Sequence, residues 1–163
     1  MEAKGTGAAK APLSGEARGE FAAALGPGGR LVVGDLGPSA GITEAQVLAP
    51  RQASNLELLS NPMGVDFRPY LISVLAAVRR NWLAVIPESA RLGRRGKVVI
   101  QFIINRDGYV PKLVIAIPSG SEALDRAAVA GISASNPFPP LPPEYPGNEI
   151  RLQLNFYYNM PPQ

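Results

Sequence analysis

Ten glycines and five prolines fall within residues 1–62 of this 163-residue chain, and that distribution limits where a core can form. Glycine loses the most backbone freedom on folding and proline lacks a hydrogen-bond donor. A segment dense in both buries too little apolar surface to offset the entropy of ordering it. Phe21 is the only aromatic residue in this stretch, and Gly26-Pro27-Gly28-Gly29 interrupts its middle. Residues 1–62 therefore read as a flexible, largely disordered linker. Within it, Glu16 to Leu25 reads as a fraying helical turn, and Thr43 to Leu59 carries enough Leu, Val and Gln for a short docking segment. A coil of 62 residues spans about 45 Å and reaches roughly 200 Å when fully extended.

Residues 63–163 read as a folded domain. Phe67, Tyr70, Leu71, Val74, Leu75, Val78, Trp82, Val85 and Ile86 recur at steps of three and four, which predicts an amphipathic helix. Asp66 is placed to cap it, Pro69 fits its first turn, and Pro87 stops it. Val98 to Ile104 predicts a strand, Asn105-Arg106-Asp107-Gly108 a reversal, and Tyr109 to Ile117 the returning strand. Ser121 caps a second helix, Glu122 to about Ala134, whose buried face of Leu124, Ala127, Ala128, Gly131 and Ile132 is small enough to lie close on a sheet. Six prolines in residues 136–146 make that stretch extended and irregular.

Residues 149–158 alternate. Ile150, Leu152, Leu154, Phe156 and Tyr158 share one face, and Arg151, Gln153, Asn155 and Tyr157 share the other. This is a strand with one dry and one wet face. The expected fold is α+β: a three-stranded antiparallel sheet with two helices on one face, in α-β-β-α-β order.

The chain has no cysteine and no histidine, so it lacks thiolate chemistry, the commonest metal ligand and the usual base near neutral pH. The acids and lysines form no catalytic constellation. The expectation is a binding protein with no cofactor and no metal, not an enzyme. Residues 63–163 carry a net charge of +4 and residues 1–62 a net of −1. The basic residues show no aromatic interleaving, so no nucleic-acid partner is expected. No run approaches the roughly 20 apolar residues of a membrane-spanning helix. That leaves a cytosolic protein or a soluble part of a longer anchored one.

The order of these pieces resembles a known family. Tyr70 to Trp82 with Ile86-Pro87, then Gly96-Lys97-Val98-Val99-Ile100, then Asp107-Gly108-Tyr109-Val110, are similar to the C-terminal domain shared by TonB and TolA. So is Pro118-Ser119-Gly120-Ser121-Glu122-Ala123-Leu124-Asp125-Arg126-Ala127-Ala128, and Asn136 to Pro142 resembles the Pro-Phe-Pro stretch before the last strand. The resemblance implies a periplasmic domain, anchored to the inner membrane by an N-terminal helix that this chain lacks. It also implies coupling of a membrane motor complex to outer-membrane transporters, with a short transporter peptide gripped as an added strand. The alternative is a TolA-like tether that binds envelope-maintenance proteins, towards which the Pro-rich stretch leans.

A three-stranded sheet has two edges with unpaired N–H and C=O groups. The last strand is joined to the hairpin by a helix, which places it at an edge. The expected docking strand is Arg151, Leu152, Gln153, Leu154, Asn155, Phe156, Tyr157 and Tyr158, with outward Arg151, Gln153, Asn155 and Tyr157 tuning selectivity. The competing arrangement has that edge covered, by the linker or by a swapped neighbour. An exposed edge also permits a strand-exchanged homodimer.

Overall fold

The computed structural model describes residues 21–26, 29–35 and 52–161. Three strands come first: β1 (Phe21–Leu25), β2 (Leu31–Asp35) and β3 (Gln52–Leu58). Helix α1 (Arg68–Leu83) and the single turn α2 (Glu88–Arg91) follow. Strands β4 (Gly96–Asn105) and β5 (Lys112–Ile117), helix α3 (Glu122–Ser135) and strand β6 (Glu149–Tyr158) complete the fold.

The architecture is α+β, but the sheet is larger than three strands. Among the described residues six strands pair in the order β1-β2-β3-β6-β4-β5, every neighbouring pair antiparallel. The three additional strands lie in the segment that composition assigns to a linker. Its sparse apolar residues fall where they count: Ala23, Val33, Leu56 and Leu58 are buried in the same cluster as the two long helices. Phe21–Leu25 is a strand rather than part of a helical turn, because pairing with β2 supplies hydrogen bonds that a short isolated helix does not hold in water. Residues 16–20 and 36–51 lie outside the described residues.

The core is one cluster on one face of the sheet. From α1 come Tyr70, Leu71, Val74, Leu75, Val78 and Trp82, and from α3 Leu124, Ala127, Ala128 and Ile132. They meet Val98, Ile100, Phe102 and Ile104 of β4 and Ile150, Leu152, Leu154, Phe156 and Tyr158 of β6. Tyr70, Trp82, Phe102, Phe138 and Phe156 are all buried.

Element ends follow local chemistry. The Asp66 carboxylate accepts from the Arg68 backbone N–H at 3.1 Å, although Phe67 occupies the cap position. The Arg68 side chain also donates to it, and that bond holds the carboxyl below the usual carboxylate range against the opposing effect of burial. Helix α1 ends at Leu83, before Pro87, and Pro87 instead stands at the start of α2. Strand β5 begins at Lys112, just past Pro111, which has no N–H for a ladder. In the β4–β5 turn Asn105 Oδ1 accepts from Asp107 N and Tyr109 N at 3.1 and 2.9 Å. Gly108 has φ of +98°, and a Cβ there would run into the Phe138 carbonyl, so the turn packs directly on the Pro-rich segment. Arg106 donates to the carbonyls of Pro142, Tyr145 and Gly147, which fixes that segment without regular structure.

Candidate strand-docking site

Strand β6 lies inside the sheet, not at its edge. On one side it pairs with β4 from Gly96↔Tyr158 to Asn105↔Glu149. On the other it pairs with β3 from Gln52↔Tyr158 to Leu58↔Leu152. The ladder continues past β3, with Leu59 N donating to Arg151 O at 2.8 Å and Arg151 N donating to Ser60 Oγ at 2.7 Å. The expectation that residues 151–158 form a free edge is therefore corrected, since the chain's own β3 covers that edge. Among the described residues the outer strands are β1 and β5.

The face of β6 turned to the helices is apolar throughout. Leu152 pairs between Leu58 and Phe102, and Leu154 between Leu56 and Ile100. The Phe156 and Tyr158 rings stand edge-on to Trp82, with centroids 4.9 and 5.2 Å away. The opposite face carries the expected polar residues, and most are already engaged. Gln153 Oε1 accepts from Gln101 Nε2 at 3.0 Å, and Asn155 Nδ2 donates to Asn55 Oδ1 at 2.7 Å. Tyr157 is fully buried rather than outward, flanked across the sheet by Ala53 and Lys97, whose ammonium lies 5.4 Å from its ring centre. Only Arg151 of the four is exposed.

Sequence reasoning missed β3 as a sheet strand. Its trace is weak: Leu56 and Leu58 alternate with Asn55 and Glu57, two apolar positions at period two in a Gly/Pro-rich context. Glu57 is held by Arg30 at 3.1 Å, which ties β3 to the turn before β2. Where this three-strand block meets the start of α1, a cleft of about 650 Å³ opens, lined by Leu25, Leu31, Leu58, Val65 and Phe67 together with Arg30 and Arg68.

Among the described residues no group of three or more His, Cys, Asp or Glu side chains is placed to hold a metal ion. No helix among them is long and apolar enough to cross a membrane.

The family model described as the Gram-negative bacterial TonB protein C-terminal matches residues 87–160, from the start of α2 through the end of β6. Over 71 residues the chain is 38% identical to Protein TonB of Pasteurella multocida (strain Pm70), a stretch that makes up 43% of this chain and 27% of that protein. The chain thus spans about a quarter of that relative's length. The NMR solution structure of Helicobacter pylori TonB-CTD (residues 179–285) matches with a TM-score of 0.47 and 24% identity, over 61% of this chain and 88% of that one. The family model and the Pasteurella multocida relative are both TonB, and the TolA-like alternative gains nothing from them. Strands β1 to β3 lie wholly outside residues 87–160, whereas all of β6 lies within them; it is that C-terminal stretch of the chain that is similar to the TonB C-terminal family.

Proposed function

We propose that this chain is the partner-binding end of a TonB-like energy-transducing protein of the cell envelope. In this reading the domain works in the periplasm, and an N-terminal anchor ties the full-length protein to the inner membrane and its motor complex. The domain transmits energy by gripping a short peptide of an outer-membrane transporter rather than by catalysis. The grip is strand addition on β6, along Arg151 to Tyr158, where main-chain hydrogen bonds give affinity and alternate side chains give selectivity.

The observation that carries this reading is the family match across β6, next to a neighbour strand that lies outside the match. In the proposal β3 holds the place of the transporter peptide, and the peptide binds by taking it over. The seam is already polar at Asn55–Asn155, and the cleft beside α1 separates part of the β1–β3 block from the helix. The apparent affinity then scales with the fraction of molecules in which β3 has left.

The test is an NMR titration of the whole chain with a transporter N-terminal peptide. Backbone amides of residues 149–158 and of residues 52–58 are expected to shift together. A peptide that at millimolar concentration shifts neither set, or shifts β5 alone, removes the proposal. Leu56→Asp, which weakens β3 docking, is expected to tighten peptide binding.

A further inference from the structure

We propose a second interaction surface: the corner between α1 and β4 docks on a bilayer that bears anionic phospholipid, with Leu92 entering among the headgroups and the surrounding arginines meeting their phosphates. This corner is separate from the strand-docking site and stands whether or not β6 takes a peptide.

Leu92 is 78% exposed, more than any other large apolar side chain among the described residues. It is not on a slack loop. Leu92 N donates to Glu88 O at 2.9 Å, Gly93 N to Ala90 O at 3.0 Å and Arg94 N to Ser89 O at 2.9 Å. From the end of β6, Asn159 Nδ2 donates to the carbonyls of Ala90 and Arg94, both at 2.8 Å. The backbone is thus satisfied and fixed, and the turn through Gly93, with φ of +105°, leaves the leucine presented to solvent. Leu83, the last residue of α1, and Val85, in the link from α1 to α2, are exposed as well.

The charge along this stretch is predominantly positive. Residues 79–97 contain Arg79, Arg80, Arg91, Arg94, Arg95 and Lys97 against a single acid, Glu88. Arg80, Arg91, Arg94 and Arg95 are exposed, and none of the four has an ion pair among the described residues. Guanidinium groups match phosphate oxygens in a planar, two-point geometry. Cations at a membrane surface add attraction that short apolar side chains convert into anchoring. A nucleic-acid surface would use the charge but offers nothing to Leu92, Leu83 and Val85, and the nearby rings of Trp82, Tyr157 and Tyr158 are fully buried. A bilayer interface uses both. Because Asn159 ties this corner to the end of β6, membrane contact would also orient the sheet relative to the bilayer.

The test is flotation of the whole chain with phosphatidylglycerol-rich vesicles, with pure phosphatidylcholine vesicles as the comparison. Binding is expected to the first at low salt, to be at least about tenfold weaker to the second, and to fall as ionic strength rises. The double variant Arg94→Glu/Arg95→Glu is expected to lose at least about tenfold in vesicle affinity. Leu92→Ser keeps every charge and is expected to lose several-fold, and Leu92→Trp is expected to bind and shift its emission to the blue on phosphatidylglycerol vesicles. Circular dichroism checks that each variant is folded, and Arg94→Gln/Arg95→Gln replaces the Glu pair if that pair is not. Equal binding to both vesicle types, no binding to either, or unchanged affinity in Leu92→Ser overturns the proposal. Soluble poly-glutamate that binds more tightly than the vesicles also overturns it and assigns the corner to an acidic protein.

Discussion

The indole Nε1 of Trp82 donates to the Tyr158 hydroxyl at 2.8 Å, and that hydroxyl donates onward to the Leu124 carbonyl at 2.7 Å. Trp82, Tyr158 and Leu124 are all fully buried. One phenol oxygen therefore links the last turn of α1, the end of β6 and the first turn of α3. Tyr158→Phe keeps the ring and its edge-on contact with Trp82 but strands the indole N–H away from water. The expected cost is about 1–3 kcal/mol, read as a lower urea midpoint with an unchanged slope. A loss below a few tenths of a kcal/mol would mean that another acceptor reaches the indole.

Alkaline pH acts on the same bond. Burial pushes the Tyr158 hydroxyl above its ordinary range, opposed by the Trp82 bond and reinforced by nearby Asp125. Burial alone raises Tyr70, whose hydroxyl donates to the Pro139 carbonyl at 2.7 Å. A raised folded-state value means that the folded protein keeps these protons after the unfolded chain has released them. Their stabilising contribution is therefore whole below about pH 10 and is lost as pH climbs beyond it. Urea midpoints measured on either side of that value are expected to fall on the alkaline side, and to fall less steeply in Tyr70→Phe. A flat profile would contradict the burial of both hydroxyls.

Helix α3 packs closely against α1 at Gly131. A Cβ there would lie 2.9 Å from Trp82 Cβ, 3.2 Å from its Cα and 3.3 Å from its N. Alanine would gain about 1 kcal/mol of helix propensity. The clash is with backbone and with the root of a fully buried ring, neither of which can swing away. Gly131→Ala is expected to be net destabilising by about 1–2 kcal/mol, since overpacking outweighs propensity. Thermal denaturation of the variant decides the sign, and a raised midpoint would show that the two helices can slide apart.

Leu56 tests whether the upstream strands belong to the core. It is fully buried in β3 and pairs with Leu154. Leu56→Ala is expected to cost about 2–5 kcal/mol in chemical denaturation. A free linker residue would cost nothing. A substitution without effect would return residues 52–58 to the role that composition gives them.

Much of the domain is legible along the chain because its reasons are local. The three- and four-residue spacing from Phe67 to Trp82 makes an amphipathic helix whatever it packs on. Ser121 caps α3, its Oγ accepting from Leu124 N at 3.4 Å. The Asn105–Gly108 reversal follows from its own residues, and the alternation of residues 149–158 sorts β6 into two faces before any neighbour is known. The small residues of α3 foretell a close approach, though not that Trp82 is what they approach.

What the residues could not say is which backbone edge stays open. A strand's outward hydrogen bonds are identical whether a transporter peptide, a second copy or a distant part of the same chain fills them, so no side chain in β6 records its neighbour. Only the tertiary fold brings Gln52–Leu58 from the Gly/Pro-rich region to that edge, turns Tyr157 from an outward residue into a buried one, and leaves β1 and β5 as the outer strands among the described residues. The sequence determined the helices, the hairpin turn and the two faces of β6, because these depend on contacts a few residues apart. The sheet's full width and the covering of its docking edge depend on pairing across about a hundred residues, where a few well-placed leucines outweigh a composition that otherwise opposes order.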